Sequence, residues 1–234
     1  MIKKKLLTTV IFLIVSLSTT LLYTMGNESA PGYRSTDTIK LPEPKYNSNV
    51  SIEKALLERR SVREYKNRPL TLAEISQLLW ASQGITDLRR GFRTAPSAGA
   101  LYPLEVYVVA GNVDNLPDGI YKYKPHGHEL VRVVKGDKRA ELCAAALGQP
   151  CVKNNAAVIV FSAVHERTTR KYGERGIRYV YMEVGHAAQN IYLQSVSLNL
   201  GTLVVGAFDD RDVKRVMNMQ DEEQPLCIMP VGKR

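Results

Sequence analysis

The sequence predicts one α+β domain, a mostly antiparallel central sheet flanked by helices. Two observations predict it. Short runs of Val, Ile and aromatic residues, at Leu104–Ala110 and over residues 156–164, have the composition of strands. Longer stretches, above all residues 175–199, carry apolar side chains at helical spacing. No repeat is visible, and the two kinds of segment alternate irregularly, which suits an α+β arrangement. The chain has 234 residues, 44% apolar and 24% charged, which are globular values. Setting aside an unusual amino terminus, enough remains for one domain with its own core.

The elements follow in order. Ser51 suits an N-cap for a first helix carrying Ile52, Ala55 and Leu56. Thr71 and Glu74 form a capping box opening a second helix to about Gln83, with Leu72, Ile75, Leu78 and Leu79 on one face and Gly84 as its stop. After the strand Leu104–Ala110, residues 119–123 and 130–134 read as a hairpin around Pro125 to His128. Residues 137–147 read as helix, 156–164 as a buried strand and 165–172 as a short helix. The long helix repeats Ile177, Val180, Tyr181, Val184, Ala187, Ala188, Ile191 and Leu198. Gly185, Ala187 and Ala188 leave room for another helix to approach. A strand at 202–206, a helix capped by Asp209 and running to about Met217, and a last strand at 226–231 complete the chain.

The amino terminus differs. Lys3, Lys4 and Lys5 precede an uncharged run, Leu6 to Tyr23, with six serines and threonines. A basic stub before such a run predicts an export signal or single-span anchor within residues 1–25, with the domain on the extracytoplasmic side. At 18 residues the run is at the short end for crossing a bilayer. Residues 26–50, with three prolines and two glycines, read as a linker or extended arm, so the domain proper is expected over 51–234.

Net charge is +9, and a basic surface suits nucleic acid, anionic lipid or phosphorylated small molecules. No basic run interleaved with aromatics, zinc-finger spacing or RNA-binding signature is present, so no nucleic-acid partner is predicted. Cys143, Cys151 and Cys227 are too few for a disulfide scaffold; ordinary packing is expected, with a Cys143–Cys151 bridge as the alternative. His126 and His128 lack an evident third ligand, so no metal site is predicted.

Four segments have compositions that suit binding. Arg59, Arg60, Ser61 and Arg63 put three guanidiniums and a hydroxyl within five residues at a helix end. Guanidinium forks suit phosphate oxygens, although a solvated basic patch fits the same residues. Residues 94–103, TAPSAGALYP, make an uncharged loop of small residues and prolines that lets a flat ring approach backbone N–H groups. Gly201 and Gly206 allow close backbone approach, and Lys233 with Arg234 ends the chain in two cations.

Taken together, the stretches ERRSVREY, PSAGALYPLEVYVV, RKYGERGIRYVYMEVGHAAQNIYLQSVSLNLGT and VGAFDD followed by PLCIMPVG resemble the nitroreductase family, and more narrowly its SagB-type dehydrogenase branch. The resemblance spans about residues 51–234. It implies a nitroreductase-like fold, an intertwined homodimer and FMN at the dimer interface. Arg59, Ser61 and Arg63 match the family's phosphate and ribityl contacts, with Arg60 adjacent. Pro96, Ser97 and Ala98 match the loop that approaches the flavin ring from the partner subunit. Gly201 and Thr202 match the segment near the reactive edge, and Lys233 and Arg234 fall near late phosphate-binding cations. Lys171 and Tyr172 resemble the Lys-Tyr pair of azoline-forming peptide oxidases, which handles substrate protons; an exposed charged helix explains them equally simply.

The implied function is an FMN-dependent oxidoreductase that takes hydride from a small reduced donor and passes it to a quinone, nitro compound or similar acceptor. A flavin carries this chemistry itself, so no protein nucleophile is needed. Its phosphate bears about −2 near neutral pH, in proportion to four or five cations. Two alternatives remain: a SagB-type oxidation using Lys171 and Tyr172, and a non-catalytic flavin-binding scaffold at a membrane.

Overall fold

The computed structural model describes residues 38–234, so the lysine stub and apolar run lie outside the described residues. Among the described residues no helix is long and apolar enough to cross a membrane.

The centre is a seven-stranded sheet, every neighbouring pair antiparallel. Its strands are β1 (Thr38–Lys40), β5 (Leu104–Ala110), β7 (Gly119–Lys124), β8 (Glu129–Lys135), β9 (Ala157–Ala163), β10 (Leu200–Thr202) and β11 (Gln224–Lys233). Their order is β1-β8-β7-β5-β9-β11-β10. Two small pairs lie outside it: β2 (Leu70–Thr71) with β6 (Val113–Asp114), parallel, and β3 (Ile85–Asp87) with β4 (Phe92–Arg93), antiparallel.

Alternation along the middle strands feeds two cores. On β5 and β9, Val106, Val108, Ile159 and Phe161 face one side, while Tyr107, Val109, Val158 and Val160 face the other. The first side is covered by α2 (Leu72–Gln83) and the long α6 (Arg175–Ser197). The second is covered by α3 (Arg139–Ala145), α4 (Pro150–Lys153) and α7 (Asp210–Met217). With both faces covered, β9 is apolar throughout except for Ser162. Each fully buried Val, Ile or Phe contributes roughly 1.5–3 kcal/mol. Two shorter helices complete the set, α1 (Ile52–Glu58) and α5 (Glu166–Tyr172).

The expected caps form. Ser51 Oγ accepts the Lys54 N–H at 3.2 Å, and Thr71 and Glu74 close a reciprocal capping box. Several expectations need correction. Residues 38–50 are part of the domain rather than linker: β1 pairs with β8, Leu41 is buried, and Lys45 exchanges two hydrogen bonds with the Gln77 side chain. His128 pins this arm, its Nε2 facing Ser76 Oγ and the Pro42 carbonyl and its Nδ1 facing the Tyr123 hydroxyl. The strand expected at 202–206 lies at Leu200–Thr202, because Asn199, at φ 54°, turns the chain out of α6 directly into pairing. Tyr181 does not join the inward stripe of α6; it is exposed, as are Ile52, Leu56 and Leu57 on α1. All three cysteines are buried free thiols.

Candidate functional site

α1 stops at Glu58, and Arg59 adopts an extended conformation (φ −56°, ψ 123°). The following residues cross the ends of β10 and β11. Val62 N–H donates to the Thr202 carbonyl at 3.0 Å, and Lys66 N–H to that of Lys233 at 2.9 Å. This approach requires glycine beneath it. A Cβ at Gly201 would lie 2.6 Å from Val62 Cγ1, and one at Gly232 would lie 2.7 Å from Tyr65 Cβ. Tyr65 locks the crossing by donating to the Val62 carbonyl at 2.8 Å.

Tyr192, on α6, organises the same corner. Its hydroxyl accepts the Val204 N–H at 2.8 Å and lies 3.3 Å from Ser61 Oγ, while the Arg59 guanidinium sits 5.2 Å from its ring centroid. Arg60 instead donates to the Leu57 and Arg59 carbonyls. The structure thus brings Arg59, Ser61, Gly201 and Thr202 to one corner. Among the described residues, Arg59, Arg60, Arg63 and Arg234 have no carboxylate within ion-pair distance.

Lys233 departs from expectation. Its ammonium is paired with Glu74, the capping-box carboxylate of α2, so its charge is already balanced. Strand alternation explains the difference. Gly232 faces Tyr65, and Lys233 turns to the opposite face.

Two buried polar atoms lack a hydrogen-bond partner: Thr202 Oγ1 at this corner, in a residue only 2% exposed, and Arg234 Nε, just past the end of β11. Buried polar groups normally find partners, so both are open to one from outside the chain. Unbalanced guanidiniums, the Ser61 hydroxyl and the orphaned Thr202 hydroxyl fit an anionic, oxygen-rich group such as the phosphate and polyol tail of FMN.

The second group gathers around the small-residue loop. Ser97 Oγ accepts the Tyr102 N–H at 2.9 Å, and the Arg93 guanidinium covers the Tyr102 ring at 4.4 Å. Residues Ala98–Ala100 make one 3-10 turn with Gly99 at φ 64°, a conformation that favours glycine. A Cβ there would lie 2.7 Å from the Tyr172 hydroxyl and 3.0 Å from Lys171 Nζ. Lys171 and Tyr172, at the end of α5, therefore lie against Gly99, directly after Pro96–Ala98 in the same chain. Among the described residues, no hydrogen bond or ion pair joins this group to the arginine group within one protomer.

Glu183 and Tyr192 are two residues beside these groups that the sequence did not announce. Glu183 lies on α6 and is 2% exposed. Burial pushes its pKa up to about 7, against the pull of Ser97, Arg93 and Gln83. One signal was available: a carboxylate between Val180 and Ala187, on the buried stripe. Tyr192 was missed for a different reason, since a tyrosine at that spacing reads as ordinary core.

A groove of ≈ 690 Å³, without the arginines among its walls, lies between residues 45–52, α2 and α6; Ile52, Trp80 and Leu193 line it. Both His128 ring nitrogens are engaged, and no metal-binding cluster of His, Cys, Asp or Glu occurs among the described residues.

The nitroreductase family model matches residues 56–233. A Methanocaldococcus jannaschii protein assigned as a nitroreductase, MJ1384, is 48% identical over 198 residues, covering 85% of this chain and 98% of that protein. The Escherichia coli microcin B17-processing protein McbC is 29% identical over 178 residues, covering 71% of this chain and 63% of McbC. The crystal structure of a protein from Ralstonia eutropha JMP134, also assigned as a nitroreductase, superposes with a TM-score of 0.74 at 29% identity, over 89% of this chain and 95% of that one. The family match puts this fold among the oxidoreductases of flavoprotein type. The chain belongs to the nitroreductase family.

Proposed function

We propose that this chain is an FMN-dependent oxidoreductase that works as a homodimer. It passes hydride from a small reduced donor to a quinone, nitro compound or similar acceptor, the two substrates using one site in turn. The observation that carries the reading is the corner of unbalanced arginines beside an orphaned buried hydroxyl, Thr202 Oγ1. When bound, FMN would supply the hydride-accepting and hydride-donating chemistry.

The chain's residues then have separable duties. Arg59, held over Tyr192, together with Arg63 and Arg234 would neutralise the phosphate. Arg60, engaged with carbonyls at the end of α1, adds to the local positive potential. Ser61 and Thr202 would meet the polyol, and the backbone at Gly201 leaves space beside it. Pro96, Ser97 and Ala98 would shield the ring from the partner subunit. A dimer is supported by exposed Ile52, Leu56 and Leu57 on α1 and Met182 on α6, and by open space around Gly185. A second reading has its own support. Lys171 and Tyr172 lie against the loop at Gly99, and McbC, by its name a microcin-processing protein, is among the similar proteins. In that reading the pair moves substrate protons in a SagB-type oxidation. We further propose that residues 1–25 export the domain or tether it to a membrane.

The test is identification by mass spectrometry of the cofactor released from purified protein, with its molar ratio to chain. Equimolar FMN is expected. Colourless protein that ignores added FMN would leave a non-catalytic scaffold.

A further inference from the structure

Glu183 has neighbours that a purely structural carboxylate would not need. It is buried, and its Oε1 has no hydrogen-bond partner. Two buried atoms near it lack a well-formed hydrogen bond: Gln83 Nε2, at the end of α2, which still pulls on the carboxyl, and Arg93 Nε, on β4. Arg93 spends one nitrogen on Gln83 Oε1 at 3.1 Å and lays its guanidinium on Tyr102, making no ion pair with Glu183. Ser97 links this cluster to the loop. Its oxygen already accepts the Tyr102 N–H, so its own hydrogen is free to donate to the Glu183 carboxyl.

Charges reach the carboxyl from several elements. Arg93 acts on it directly from β4, while Arg167 on α5 and Glu105 on β5 act on Arg93 and pair with each other. Lys122 on β7 pairs with Glu105 at 3.2 Å, and Lys171 and Tyr172 stand over the loop at Gly99. None lies against Glu183 closely enough to hold it ionised against burial, and its pKa of about 7 follows from that balance.

We propose that Glu183 is a positioning residue for the Pro96–Ala98 loop, holding an exchangeable proton behind Ser97 that sets the charge beneath the loop's outer face. This rests on the reading that the loop lies against the flavin ring. With its proton, Glu183 leaves the loop backed by the Arg93 cation. Without it, a buried negative charge faces a ring that becomes electron-rich on reduction. Reduction is therefore favoured below the Glu183 titration and disfavoured above it.

The test uses two readouts on the full-length protein. The first needs no flavin: unfolding stability against pH for cofactor-stripped wild type and Glu183→Gln. Folding raises the Glu183 pKa, so its contribution is fully present below about 4.5 and is lost as pH rises through about 7. Glu183→Gln should lack this decline. Ser97→Ala, a second variant, should move the end of the decline to higher pH, because it removes a donor to the carboxylate. The second readout is the pH profile of flavin reduction, which should lose its alkaline limb in Glu183→Gln with KM for the donor little changed. Parallel stability curves overturn the proposal. So does a Gln variant that keeps the wild-type rate profile, or one slowed equally at every pH. If wild type binds no flavin, the cofactor reading fails, while the stability curves still decide whether Glu183 holds the proton.

Discussion

Gly201→Ala probes how the arginine segment is held. The added Cβ would lie 2.6 Å from Val62 Cγ1, 3.0 Å from Val62 Cβ and 3.3 Å from Tyr65 Cε1. Ordinary carbon contacts are about 3.5–4.0 Å, so Val62 must retreat by close to 1 Å. It has little freedom to do so. Its branched side chain is stiff, its N–H is bonded to the Thr202 carbonyl, and its carbonyl is held by Tyr65. Overpacking of this kind costs about 1–3 kcal/mol. The cheapest relief lifts the backbone at Val62 off β10, carrying Ser61 and Arg63 with it. If about 1.4 kcal/mol of that disturbance reaches the cofactor contacts, FMN affinity falls about tenfold. Urea unfolding measures the first quantity, and fluorescence titration of stripped protein with FMN the second. Val62→Ala in the Gly201→Ala background removes the 2.6 Å contact and should recover part of the affinity. Wild-type affinity in Gly201→Ala, or no recovery in the double variant, would refute the claim that this glycine sets the arginines.

Other perturbations separate the remaining parts. The Glu183 shift from 4.5 to about 7 corresponds to roughly 3 kcal/mol of stability lost between those pH values, which chemical denaturation of wild type and Glu183→Gln should resolve. Glu223 contributes in the opposite sense. Its carboxylate accepts from Lys122, Ser162 and Tyr107 and its pKa is lowered despite burial, so this stability is present above about 4.5 and is lost as pH falls further; Glu223→Gln should flatten that acid limb. Lys171→Ala should retain flavin absorbance; a rate loss of at least ~100-fold supports proton handling by the pair, and unchanged turnover excludes it. Thr71→Ala opens the capping box of α2 and should cost about 1 kcal/mol in a thermal or urea melt.

Much of the architecture was legible because it rests on local chemistry. Ser51 and Thr71 announce helix starts, and the apolar run of β9 announces a strand covered on both faces. The arm at 38–50 was not legible, because its prolines and polar residues hide a three-residue edge strand fixed by long-range pairing with β8. The β3–β4 hairpin was missed because its strands are too short for periodicity to register. In the site, residue types indicated an anion corner, and Ser61 and Thr202 do converge. Whether a given cation is free depends on partners far away in the chain. Lys233 is matched by Glu74, 159 residues distant, and no spacing rule foretells that.

FMN and riboflavin differ only by the phosphate, so their relative affinity isolates the tail. Stripped wild-type protein should prefer FMN strongly. Each charge-assisted hydrogen bond contributes about 1.5–3 kcal/mol, so Arg59→Ala combined with Arg63→Ala should weaken FMN by at least ~100-fold and riboflavin far less. Equal losses for the two ligands, or FMN binding undiminished in the double variant, would contradict a phosphate held by these arginines.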